Sequence, residues 1–287
     1  MIVALTPCPC LDRALEVEEL RPGALHRPKV VYERAGGKGL NLARAVGRLG
    51  GEAVAVAPLG GWAGARLRRL ARQERLPLLG VSGPPNRLCH ILLHPGGPTE
   101  LYERCPGPGG SVLRRMARVL PKGLRVLSGN LPSGVEPLEA LRLLGPFAVD
   151  SSSAFAAALQ AGVGLVKPNR AELAALRPGD PLEAAQGLFR ETGVRILASL
   201  GEEGVVYAGP EGLLWARGPR REGNPVGSGD TLLGAFLLGL ERGEPIPQAL
   251  ALAVAAGTAN VGRGGGDVDP QEVAALIRGV EVRAWPS

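Results

Sequence analysis

The sequence predicts an α/β fold around a mainly parallel sheet. Short apolar runs alternate with helical patterns along the chain, and the glycine-rich or charged segments fall at the loops between them. Ile2–Thr6, Ala53–Pro58, Arg125–Ser128, Phe147–Asp150, Leu165–Lys167 and Arg195–Ser199 read as buried strands. Leu40–Leu49, Ala63–Glu74, Leu138–Leu144, Ala154–Ala161, Leu182–Glu191 and Thr231–Glu241 read as helices. Ligands on such sheets bind beyond the carboxyl ends of the strands, where the unusual loops of this chain lie. Two stretches break the rhythm. Leu11–Ala35 carries strand-like pieces and no convincing helix, and Arg87–Glu103 reads as two strands joined by His94-Pro95-Gly96-Gly97. Together they predict a small β lid (11–35 and 87–103) on a core made of 1–10, 36–86 and 104–287.

Bulk properties narrow the function. The 287 residues are 45% hydrophobic, enough for one substantial core. There is no apolar run of membrane-spanning length, and the N-terminus reads as a first strand, not a signal peptide, so a cytoplasmic protein is expected. The formal charge is +6, but much of the excess lies in dispersed helical arginines such as Arg66, Arg68, Arg69, Arg72 and Arg75. Ten aromatic residues are too few for a stacking platform, so an anionic small molecule is the expected partner and nucleic acid is not. Four cysteines do not make a disulfide framework at this size; they are expected to be unpaired thiols in a reducing compartment. A metal site drawn from Cys8, Cys10, Cys89 and His90 is the rarer alternative, because Cys-x-Cys is not the usual zinc spacing.

The sharpest motif is Asn224–Leu240, in which Gly227-Ser228-Gly229 opens an apolar helix at Asp230 or Thr231. Such a turn offers free N–H groups and the positive end of a helix dipole to an anion. A carboxylate beside it can take a proton from an attacking hydroxyl, although Asp230 or Ser228 as a plain helix cap fits the segment too. Gly36, Gly37 and Gly39 frame Lys38 just before another helix, placing an ammonium where it can meet a phosphate, or merely in a surface turn. Lys167-Pro168-Asn169-Arg170-Ala171-Glu172 follows a strand and opens a helix. Asn169 and Glu172 share one side of that turn, suiting either a water-clad Mg²⁺ or a capping box. Ser199–Gly204 is a glycine-rich turn between strands. Tyr32 and Gly39 exclude a P-loop around Gly37-Lys38, and Leu232 excludes the dinucleotide fingerprint after Gly227.

In their order and spacing these segments resemble the PfkB (ribokinase-like) sugar kinase family. The likeness runs on through Ser128-Gly129-Asn130-Leu131-Pro132-Ser133-Gly134 and Asp150-Ser151-Ser152, covering nearly the whole chain. It implies a ribokinase-like three-layer fold, ATP as co-substrate, Mg²⁺ held through water by Glu172, and a homodimer formed through the lid. Gly37-Lys38-Gly39 resembles the branch of 1-phosphofructokinase and tagatose-6-phosphate kinase. That implies fructose 1-phosphate as acceptor, with tagatose 6-phosphate or fructose 6-phosphate as alternatives, or a silent sugar-phosphate sensor. By the same resemblance, Asp230 with Gly227, Ser228 and Gly229 is catalytic. Asp12, Gly37, Lys38, Asn41, Arg87, Ser128 and Gly129 bind the sugar phosphate. Lys167, Asn169, Ser199, Gly201, Gly204, Asn224, Ala256 and Asn260 form the nucleotide site. The sequence departs from the branch at Cys8 and Cys89, where asparagines usually face the sugar; thiols are poorer hydrogen-bonding groups, and the sugar's identity stays open.

Overall fold

A computed structural model describes residues 1–107 and 109–285. The strands are β1 Ile2–Leu5, β2 Cys10–Glu16, β3 Lys29–Gly36, β4 Ala53–Leu59, β5 Leu78–Ser82, β6 Arg87–Leu93, β7 Thr99–Tyr102, β8 Leu124–Ser128, β9 Ala148–Asp150, β10 Leu165–Val166, β11 Arg195–Ser199, β12 Val205–Gly209, β13 Gly212–Arg217 and β14 Glu281–Trp285. The helices are α1 Lys38–Arg48, α2 Gly61–Gln73, α3 Gly110–Arg118, α4 Pro137–Leu144, α5 Phe155–Ala161, α6 Arg170–Leu176, α7 Pro181–Thr192, α8 Ser228–Glu241, α9 Ile246–Asn260 and α10 Pro270–Ile277.

Ten strands form one sheet in the order β14-β13-β12-β11-β10-β9-β8-β1-β4-β5. From β11 to β5 every pairing is parallel, and β12–β14 add an antiparallel edge. Parallel strands covered on both faces must be apolar on both, and β1 obeys: Ile2 and Ala4 join one core cluster, Val3 and Leu5 the other. The first cluster packs α1, α2, α8, α9 and α10 on one face; the second packs α3, α4, α5, α6 and α7 on the opposite face. The molecule is therefore three layers deep. Chain order runs outward through β4 and β5 on one side of β1, then resumes at β8 on the other. The switch point lies between β1 and β8, where ligands of such sheets bind.

β3, β2, β6 and β7 form a separate four-stranded sheet. It joins the first sheet's helices through Arg66, whose guanidinium donates twice to Glu33 on β3. One expectation fails here. Cys8 is not a free thiol: it is disulfide-bonded to Cys105, with their Cα atoms 5.7 Å apart. The bond joins the loop leading from β1 into the second sheet to the segment returning from β7 towards α3. Cys10 and Cys89 remain free and buried. Among the described residues, no helix is long and apolar enough to cross a membrane.

Candidate active site

The carboxyl ends of neighbouring strands deliver the site. Thr6 follows β1 and Lys167 follows β10, while β8 ends on Ser128, β9 on Asp150 and β11 on Ser199. Asp150 is fully buried and takes both lysines: Lys38 Nζ donates to Oδ1 at 2.9 Å, and Lys167 Nζ lies 3.5 Å from Oδ2. Burial opposes the Asp150 charge, but Lys167 and Lys38 overcome it and hold the carboxyl below its ordinary range. For Lys38, burial acts against the ammonium, yet Asp150, Asp230 and Glu172 outweigh it and keep the pKa above ordinary. Lys38 is thus charged, and both lysines converge on one pocket.

The opposite wall is the start of α8. Gly227 caps that helix in the left-handed region, φ 82°, where a side chain would be strained, and no side chain caps it. A Cβ on Gly229 would come within 3.2 Å of Lys167 Nζ, so this ammonium lies over the first helical turn. Free N–H groups, the helix dipole and a lysine share one spot, which is suited to a phosphate. Asp230 sits three positions into the helix and is 7% exposed. It does not cap: Asn41 Nδ2 donates to its Oδ2 at 2.8 Å. Burial pushes its carboxyl up to about 6, and Asp150 adds to this, against the pull of Lys38, Asn41 and Lys167. Such a carboxylate is ionised at neutral pH yet ready to accept a proton.

Asn41 is itself held by Arg44, a helical arginine that no sequence motif marks. Arg44 is buried and donates to Asn41 Oδ1 at 3.1 Å, to the carbonyls of Gly265 and Ala35 at 2.5 and 2.6 Å, and to Glu74 at 2.8 Å. Asn260, fully buried on α9, binds three sites of the surrounding loops. Its Nδ2 donates to Val226 O and Ser228 Oγ, and its Oδ1 accepts from Gly266 N–H at 2.8 Å. Asn260 therefore braces the Gly227–Asp230 turn, with Ala256 buried one turn earlier. Asn224 caps its own loop, accepting from Val226 N–H at 3.0 Å.

Asn169 and Glu172 form a reciprocal capping box. Glu172 still faces the site closely enough to act on Lys38. Ser199 pairs with Asn169 across a single bridge, and Gly201 and Gly204 shape the turn that follows. Ser128 Oγ and Asp150 Oδ2 are buried with no hydrogen-bond partner, and Gly129 N–H donates to Asp150 O.

Asp12 and Arg87 lie on the second sheet. Asp12 is 8% exposed, accepts from Cys10 Sγ at 2.9 Å, and is raised to about 6 by burial against that bond and the fields of Arg44, Arg87 and Arg34. Arg87 donates to the Glu103 carbonyl at 2.9 Å and lies over the Tyr102 ring at 5.9 Å. It is thus near Asp12, and its partners do not include Lys38. A cavity of about 1030 Å³ opens at the far end of the second sheet among Glu16, Arg21, His26 and His94, away from Asp230. Asp150 and Arg44 were missed as site residues. Only the DSS segment, read as part of the family likeness, pointed towards Asp150.

The pfkB family carbohydrate kinase profile matches residues 6–104 and 142–272. ATP-dependent 6-phosphofructokinase isozyme 2 of Escherichia coli is 34% identical over 285 residues, covering 90% of this chain and 91% of that protein. A 1-phosphofructokinase of Haloferax volcanii is 30% identical, with 92% of each chain covered. The crystal structure of Escherichia coli phosphofructokinase-2 in complex with substrates and products superposes with a TM-score of 0.88 at 28% identity, covering 96% and 98% of the two chains. Sequence, sheet order and the α8 turn agree: this chain belongs to the pfkB family of carbohydrate kinases, has the ribokinase-like fold, and is a phosphotransferase.

Proposed function

We propose that this chain transfers the γ-phosphoryl group of ATP to fructose 1-phosphate, giving fructose 1,6-bisphosphate, with Asp230 as the base. The observation that carries this is Asp230 itself: buried at the start of α8, held by Asn41, and flanked by Lys38 and Lys167. Asp230 takes the proton of the sugar's free primary hydroxyl, and that oxygen attacks the γ-phosphorus in line. The N–H groups of Gly227–Gly229 meet the charge that spreads over the transferring oxygens. Lys38 and Arg87 bind the phosphate already on the sugar, and Asp12 its hydroxyls. Ser199, Gly201, Gly204, Asn224, Ala256 and Asn260 line or brace the nucleotide site. A silent sensor would not need an ionised, proton-accepting Asp230 at that turn.

The donor set fits Mg²⁺, a hard cation that takes oxygen ligands and keeps several waters. Asp150 Oδ2 is buried and accepts no hydrogen bond, with only the Lys167 ammonium 3.5 Å away, and the Glu172 carboxylate is near enough for its charge to act on Lys38. These residues would hold the ion, Glu172 through water, and the ion would neutralise charge on the nucleotide's phosphates. The second sheet (11–35 and 87–103) acts as a lid that keeps water from ATP. Its Val30, Val31, Leu101 and Tyr102 side chains are about half exposed, a surface suited to pairing with a second copy. The reading places the enzyme in the cytoplasm, with no nucleic-acid or membrane partner.

A second acceptor has an observation in its favour. The Escherichia coli relative at 34% identity is named a 6-phosphofructokinase, and fructose 6-phosphate would give the same bisphosphate by reaction at the other end of the sugar. Coupled ADP release over fructose 1-phosphate, fructose 6-phosphate, tagatose 6-phosphate and fructose decides. Fructose 1-phosphate is expected to have the highest kcat/KM. A higher value for fructose 6-phosphate overturns the acceptor but leaves Asp230 in place, and no turnover with any sugar phosphate overturns the function.

A further inference from the structure

Three metal-ligating side chains meet on one face of the second sheet, outside the phosphate pocket. Cys10 and Asp12 are two apart on β2, so they point the same way, and Cys89 is the direct partner of Asp12 on the parallel strand β6. Their donor atoms all lie within 4.8 Å of one another. All three residues are at least nine-tenths buried, with Cys10 at 3% exposure and Cys89 at 1%. A tetrahedral zinc-like ion with sulfur bonds of about 2.3 Å needs its donors roughly 3.8 Å apart, so small rotamer shifts suffice. Two sulfurs and one carboxylate favour a thiophilic divalent cation over Mg²⁺.

We propose that Cys10, Asp12 and Cys89 form a site for a thiophilic divalent cation of the zinc and cadmium class. The ion binds two thiolates and the Asp12 carboxylate, keeps a fourth position for water, and expels both thiol protons as it enters. The three anionic ligands and the dication leave one net negative charge, which the nearby Arg34, Arg44 and Arg87 offset. The ion takes the carboxylate that would otherwise meet sugar hydroxyls, so the cation and the sugar phosphate exclude each other. That last step rests on the reading of Asp12 as a sugar ligand; the site itself does not.

Cadmium is the probe, because its bonds to thiolate absorb in the ultraviolet. Cys8 and Cys105 are linked to each other, so the only free thiols are those of the proposed site. Titrating the intact protein with Cd²⁺ alone is expected to give a thiolate-to-metal band saturating at one ion per chain, with two protons released. Cys89→Ser should weaken binding by more than roughly tenfold, since even outer-sphere partners of a metal are worth about 10–100-fold. If that variant does not fold, Cys10→Ser asks the same question, and protection of both thiols from alkylation by bound Cd²⁺ asks it of the unmodified chain. No band, no protection, or a band of equal strength in a folded Cys89→Ser overturns the site. Adding fructose 1-phosphate should displace the cation. A band that is lost in the variant but untouched by the sugar keeps the metal site and overturns the placement of the sugar at Asp12.

Discussion

Burial of Asp230 sets proton transfer against stability. Its carboxyl titrates near 6 in the folded chain and near 3.8 when free. Between those values the folded chain holds a proton that the unfolded chain has lost. Stability from this group is therefore highest below that window and falls as the pH rises through 6, and the ionised carboxylate at neutral pH is a net cost. Asp230→Asn should remove that cost and leave the melting temperature equal or higher, while kcat falls by roughly 10²–10⁴-fold. Near-normal kcat in the folded variant would end the role of Asp230 as base. The rate should also fall as the pH drops through about 6, where Asp230 and Asp12 both take up protons. The Asn41 amide favours the charged Asp230, so Asn41→Ala should move this limb of kcat/KM to higher pH. Lys38→Ala removes a charged partner worth about 1.5–3 kcal/mol to the sugar's phosphate. The KM for sugar phosphate should rise about ten- to a hundred-fold and that for ATP stay nearly constant; an equal rise for ATP would move Lys38 to the nucleotide side.

At the scale of elements, α1, α8 and the turn after α9 are bound into one unit by Arg44, Asn41 and Asn260. Gly266 is where they meet: its φ is +81°, and a Cβ there would overlap the Asn41 carbonyl oxygen. Gly266→Ala is expected to cost more than about 1 kcal/mol in chemical denaturation and to lower kcat by displacing Asn41. Unchanged stability would show that the turn adapts. In this unit α1 and α8 were legible from local apolar patterning, while α9, buried on nearly every side, shows no amphipathic period to mark it; in the sheet, Arg195–Ser199 has in the fold the bounds its sequence indicates. The edge was not: β14 is a five-residue Glu-Val-Arg-Ala-Trp run that only its pairing with β13 makes a strand. Arg44 escaped for a related reason. A helical arginine normally faces water, and only the packing of distant carbonyls around it makes it a brace. The motif residues Lys38, Lys167 and Asp230 could be named from sequence, but Asp150, which holds both lysines, is joined to them only by the parallel order of the strands.

For the whole molecule, the Cys8–Cys105 bond is the largest departure from what composition implied. The two residues are 97 apart, and nothing local marks them as partners. Closing a loop of that length restricts the unfolded chain, typically worth about 2–4 kcal/mol. Cys105→Ser should lower the melting temperature by several degrees, and reductant should lower it in the wild type but not in the variant. A wild type indifferent to reductant would mean the bond contributes nothing to the fold's stability.

The same bond also changes what a cut does. Every residue of the second sheet, together with α1 and α2, lies inside the ring that Cys8 and Cys105 close. The stretch 17–28, between β2 and β3, is largely exposed; Arg21 and Arg27 each precede a proline and so resist trypsin, but Leu25 offers a broad-specificity protease such as subtilisin a place to enter. A single cut there opens the ring without freeing a fragment. The nicked protein should run as one chain on a non-reducing gel and as two after reduction, and the pieces cannot drift apart while the bond lasts.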